Sequence, residues 1–159
     1  MKNMIPLLLI GGAALLVSAI FEDDNSNEEI PQRRIFISHS WQKSSTEYHK
    51  FITKLKFGEV GHYNHSIPEE NAFDATKRKE LEEIFRGQIV NCSKIFVLAT
   101  KGINSKSYVG LELQIAKELR KEIIAVKPHG QEDIPAFIKK YADFTISNNI
   151  KSIKKILKN

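Results

Sequence analysis

Glu112 stands near the middle of "SKSYVGLELQIAKELRKEIIAV", residues 105–126, four positions after Tyr108. A carboxylate held in a water-poor crevice can stabilise positive charge that develops on a reacting carbon. The same carboxylate in the first turns of a helix can also be an ordinary charge that complements the helix dipole. A second group of candidates lies in "FISHSW", residues 36–41. Ser38 and Ser40 offer hydroxyls, and the helix start beyond Tyr108 offers free N–H groups; both suit phosphate oxygens. Trp41 and Tyr108 offer faces on which a planar ring can stack. Each candidate has a structural alternative. Trp41 serves equally well as a packing residue, and His39, directly after an apolar run, reads as a hydrogen-bonded structural histidine before a general base.

Composition narrows the chemistry. The chain has 159 residues, 27% of them charged and 42% hydrophobic, as expected for a globular domain with an appendage. Its one cysteine, Cys92, allows no internal disulfide. Five histidines, at 39, 49, 62, 65 and 129, are scattered, and no Cys/His set has zinc spacing, so no metal site is expected. The net charge of +5 forms no cluster of nucleic-acid type. The densest basic stretch, "KSIKKILKN", carries an apolar stripe of Ile150, Ile153, Ile156 and Leu157. It reads as a terminal helix packed on the domain, with a membrane-surface role as the alternative.

Alternating strand and helix patterns must position these residues. "RIFIS" (34–38), "EVGHYN" (59–64), "KIFVLAT" (94–100), "EIIAVKP" (122–128) and "DFTIS" (143–147) read as strands. Between them run helical stripes: Tyr48, Phe51, Ile52 and Leu55; Leu81, Ile84, Phe85, Ile89 and Cys92; Val109, Leu111, Ile115, Ala116 and Leu119. "IPAFIKKY" (134–141) reads as a short helix opened by Pro135. Five strands separated by helices predict an α/β domain with a parallel sheet. Continuous apolar runs such as "IFVLA" predict strands covered on both faces. In such sheets the ligand crevice lies beyond the carboxyl ends of the strands. Three loops should border it: "SHSWQKSS", "HSIPEENAFD" and "KGINSKSY". Glu112 follows the third.

Residues 1–21 stand apart from this pattern. Met4 to Phe21 are 18 uncharged, mostly apolar residues, enough for a single-pass membrane anchor. A cleaved signal peptide ending near "VSA" (17–19) is the competing reading. The acidic stretch "EDDNSNEEIPQ" (22–32) reads as a flexible linker, which leaves 33–159 as the folded domain.

"IFISHSW", "HSIPEENAFD", "KIFVLATKGINSKSYVGLELQIAKELRKEIIAVKP" and "ADFTISNNIKSIKKIL" resemble the bacterial TIR-like family, nearest to its Thoeris ThsB branch. The resemblance spans about residues 34–157. It implies a flavodoxin-like sheet in the order 2-1-3-4-5 with helices on both faces. It also implies an enzyme that consumes NAD+ as substrate without a cofactor, cleaving the nicotinamide–ribose bond or cyclising ADP-ribose in antiphage defence. Glu112 takes the place of the catalytic glutamate. Tyr108 takes that of an aromatic residue four positions earlier. Tyr108 belongs to the substrate-contacting set together with Phe36, Ser38, His39 and Trp41, and with Ser66 from the loop after strand two. The chain departs from the family pattern in two places: no acid follows the first strand until Glu47, and Lys106 stands where a serine is common. The implied partners are NAD+, further copies of the domain, and a membrane through residues 4–21, with the domain on the cytoplasmic side, where NAD+ is. Two other readings stand beside this one: a non-catalytic self-association module, and a nucleoside deoxyribosyltransferase-like hydrolase that also directs a glutamate at a ribose carbon.

Overall fold

A computed structural model describes residues 33–58, 62–64 and 78–159. The run at 4–21, the linker and the whole loop after the second strand, 65–77, including Ser66, lie outside these residues. Among the described residues no helix is long and apolar enough to cross a membrane.

The elements run in strict alternation: β1 (Arg33–Ser38), α1 (Trp41–Phe57), β2 (His62–Asn64), α2 (Arg78–Ile89), β3 (Lys94–Leu98), α3 (Tyr108–Glu118), β4 (Glu122–Lys127), α4 (Ala136–Tyr141), β5 (Phe144–Ser147) and α5 (Ile150–Lys158). All strand pairs are parallel, in the order β2-β1-β3-β4-β5. This is the order implied by the resemblance. Four strands have four to six residues. The edge strand β2 is a three-residue pairing with β1.

Side-chain alternation along each strand builds two cores. Phe36, Ile95, Val97, Ile123 and Ala125 face α2, α3 and α4, where Leu81, Phe85, Leu113, Ala116 and Ile138 meet them. Ile35, Ile37, Phe96, Leu98, Ile124 and Val126 face α1 and α5, against Phe51, Leu55, Ile153 and Leu157. β1, β3 and β4 are therefore buried on both sides, which is why they read as continuous apolar runs. The tail helix belongs to the second core through Ile153 and Leu157. Its start is capped by the Asn149 side chain, which accepts from Ser152 N at 2.8 Å. Lys54 of α1 donates to Asn148 O at 2.8 Å and to Asn148 Oδ1 at 3.0 Å, and so ties that junction to α1.

β5 is the open edge of the sheet, with Phe144 and Thr145 exposed. Two local expectations need correction. Ile84, placed in the apolar stripe of α2, faces solvent. The short fourth helix starts at Ala136, with Pro135 as its N-cap.

Candidate functional site

The chain leaves β1 for β2 on one side and returns for β3 on the other. The carboxyl ends of β1 and β3 are therefore the topological switch point, where open α/β sheets bind ligands. Ser38 is the last residue of β1 and pairs in register with Val97 of β3. It lies two residues beyond Phe36, so it faces the same side of the sheet, the side covered by α3. Glu112 comes down to that point from the second turn of α3. The Ser38 hydroxyl donates to Glu112 Oε2 at 2.5 Å, across 74 residues of sequence.

Glu112 is 8% exposed and Ser38 is fully buried. Burial is the dominant influence on the carboxyl and pushes its pKa up to about 8; the hydrogen bond from Ser38 pulls the other way without cancelling it. At neutral pH the carboxyl of the free protein is therefore mostly protonated. Glu112 is not a solvated helix-start charge, and the small stability effect expected of such a charge does not apply.

Because the serine opposes the burial effect, its loss has a defined sign. Ser38→Ala is expected to raise the Glu112 pKa further, by about one to two units if the bond to the ionised carboxylate is worth roughly 1.5–3 kcal/mol. A ¹³C titration of the Glu112 side-chain carboxyl measures it. A downward shift would show that Ser38 does not hold the ionised form.

The other candidates separate. Phe36 is fully buried in the core under α2 and α3, so its place in the substrate-contacting set is corrected: strand alternation sends its ring into the core. His39 follows Ser38 and turns to the opposite side, where its ring stacks on Tyr48 of α1 at 4.2 Å between centroids, 11° from parallel. Its Nδ1 donates to Ile37 O at 3.3 Å. Burial pulls its pKa down to about 4, so the ring is neutral at physiological pH. Ser40 holds a closed turn: its N–H donates to Ser44 Oγ at 2.8 Å, and Ser44 Oγ donates back to Ser40 O at 3.0 Å, where α1 is kinked. Trp41 opens α1; its side chain lies outside the described ones. Tyr108 is 49% exposed. Its ring approaches Phe85, with centroids 6.2 Å apart, and it lines a groove of about 560 Å³ between α2, α3 and α4, together with Arg78, Lys106 and Tyr141.

Two further residues carried no signal in the sequence. Thr100, just past β3, has a buried hydroxyl without a partner among the described residues. Gln131, after β4, reaches back to the loop that follows β3. Their type and spacing match no motif; only the fold brings them to the strand ends. No group of His, Cys, Asp and Glu that could hold a metal ion occurs among the described residues.

The model of the Thoeris protein ThsB TIR-like domain matches residues 36–133, more than half of the chain, including both Ser38 and Glu112. The chain belongs to this TIR-like family. No curated protein matches it. Among solved structures, 2-deoxyribosyltransferase from the psychrotolerant bacterium Bacillus psychrosaccharolyticus superposes with a TM-score of 0.53 at 12% identity, over 76% of this chain and 90% of that one. The CMP N-glycosidase BcmB of Clostridium botulinum gives 0.49 at 13% identity, over 79% and 98%. At such identities the likeness to the first concerns the fold alone. Within the ThsB TIR-like frame, the Ser38–Glu112 pair sits at the carboxyl ends of β1 and β3.

Proposed function

We propose that this domain consumes NAD+, releasing nicotinamide and an ADP-ribose-type product, hydrolysed or cyclised, that serves as a signal in antiphage defence. The observation that supports it best is the buried carboxyl of Glu112, held by Ser38 at the switch point of a TIR-like fold. Nicotinamide leaves NAD+ as a neutral base, carrying away the electron pair of the C–N bond and leaving positive charge on the ribose carbon. A carboxylate beside that carbon stabilises the charge as it forms. Bound NAD+ brings the cationic pyridinium against the carboxyl, and an adjacent positive charge favours ionisation, opposing the effect of burial. Ser38 holds Oε2, which leaves Oε1 for the ribose. Water, or a group of the ADP-ribose itself, then adds to the carbon and gives its proton to the Glu112 carboxylate, which returns to its protonated resting form.

The test is a parallel assay of the purified domain, at high and low protein concentration, with NAD+ and with deoxynucleosides. Nicotinamide release that depends on Glu112 supports the proposal. Base release from deoxynucleosides, with NAD+ untouched, would replace it by the deoxyribosyltransferase-like reading. If neither substrate turns over in a folded, self-associating sample, the non-catalytic module is the better account.

A further inference from the structure

We propose that Gln131 is a positioning residue for Glu112: its side-chain amide fastens the loop leading into α3 to the loop after β4 and so fixes where the helix start sits at the strand ends. The inference deepens the reading of Glu112 as the acting carboxylate and rests on it for its consequence in turnover.

The clamp has three bonds. Gln131 Nε2 donates to Ala99 O at 2.7 Å and to Asp133 O at 2.6 Å, and Gln131 Oε1 accepts from Lys101 N at 2.9 Å. Two carbonyls face the NH2 group and one N–H faces the oxygen, so only one orientation of the amide satisfies all three. Ala99 and Lys101 flank Thr100 at the end of β3. From there the chain has seven residues, 101–107, before α3 begins. Those residues are short of slack. Ile103 is buried in the core beside α3. Asn104 accepts from Ser107 through its carbonyl and from Lys106 N through its side chain. Displacement at Ala99–Lys101 therefore passes to the first turns of α3, which carry Glu112.

Gln131 is itself placed by a turn. Its N–H donates to Pro128 O at 3.3 Å, and Gly130 within that turn has φ 77°, the positive value a type II turn needs at its third position. β4 thus ends in a bend that aims one amide back across the sheet at the neighbouring strand's exit. A plain surface loop has no such requirement.

The experiment compares the wild type with Gln131→Met, which keeps the length of the side chain and removes all three bonds. A core variant remote from the site, Ile153→Val, serves as a control chosen for a similar loss of Tm. The primary readout is the ¹³C titration of the Glu112 carboxyl, assigned by its absence in Glu112→Gln; it needs no substrate. In the wild type and in Ile153→Val the midpoint is expected near 8. In Gln131→Met it should fall by about one unit or more as the carboxyl gains water. The second readout is nicotinamide release: kcat should drop on the order of 10-fold with a smaller change in KM, as expected for a displaced group that acts at the transition state. An unchanged midpoint in Gln131→Met beside a lowered Tm would make Gln131 merely structural and overturn the inference. So would a wild-type carboxyl that titrates near 4.5. Failure to turn over NAD+ with the midpoint shifted as expected would overturn the substrate reading instead and leave the positioning role standing.

Discussion

Glu112→Gln is expected to lower nicotinamide release on the order of 10²-fold or more, and to make the folded domain more stable than the wild type at alkaline pH. Both effects come from one carboxyl. The amide has nearly the same size and can still accept the bond from Ser38, but it cannot carry the negative charge that stabilises a developing oxocarbenium ion. The stability effect follows from linkage. The folded-state pKa of about 8 lies above the ordinary value of 4.5. Between those values the native protein holds a proton that the unfolded chain has released, so stability falls as pH rises across that window. The contribution is fully present below pH 4.5 and is lost by the time the pH has passed 8. A glutamine does not titrate, so the variant escapes the loss. The gap should be on the order of a few kcal/mol above pH 8 and close to nothing near pH 4.5, since each pKa unit corresponds to about 1.4 kcal/mol. Thermal unfolding of both proteins between pH 4 and 9 measures it. Parallel curves would mean that the carboxyl is solvated in the native state. For turnover, kcat/KM of the wild type should rise with pH to a midpoint near 8, because the free enzyme must ionise before it acts. A flat profile, or a glutamine variant as fast as wild type, would remove Glu112 from the reaction.

The burial of Glu112 marks the limit of what the sequence could convey. The helix containing Glu112 and the strand before it were legible, because apolar periodicity records which faces are buried. The glutamate stood out through its motif. Its burial was not: Leu111 and Leu113 on either side fit a helix that is wet or dry at position 112. The partner was half legible. Ser38 stood out as a hydroxyl at a strand end, but Phe36 stood out equally, and only the two-residue alternation of β1, combined with the layer covering it, shows that Phe36 fills the core while Ser38 meets the carboxyl. His39 belongs to the other face for the same reason. Gln131 was invisible, since its partners are backbone atoms of Ala99, Lys101 and Asp133, and backbone atoms leave no trace in residue type. The exposure of β5 follows from the strand order, which leaves it with one neighbour at the end of the sheet.

Gly110→Ala is expected to destabilise the domain and to inactivate the site, although alanine is the better helix former. Gly110 lies in the first turn of α3, two residues before Glu112. A Cβ built on it would sit 1.8 Å from Ser105 O and 2.8 Å from Ser105 C, both backbone atoms. Helix propensity favours the substitution by about 1 kcal/mol. Overpacking against a rigid neighbour opposes it by about 1–3 kcal/mol, and a contact this short belongs at the upper end. Ser105 has little freedom to retreat, since Asn104 and Lys106 beside it are bonded to each other and Lys101 is held by Gln131. The helix start moves instead, and the 2.5 Å bond from Ser38 to Glu112 is lost. A displacement near 1 Å is enough for a loss on the order of 10²-fold in rate. The control lies one helix earlier. Gly87 of α2 is exposed, and a Cβ there would meet nothing within 4 Å. Gly87→Ala should therefore stabilise by about 0.5–1 kcal/mol with turnover unchanged. The two alanines differ only in what surrounds them, so denaturant unfolding and nicotinamide release measured side by side separate propensity from contact. If Gly110→Ala proves as stable and as active as Gly87→Ala, the loop before α3 does not press on the helix, and Glu112 is placed by something other than that contact.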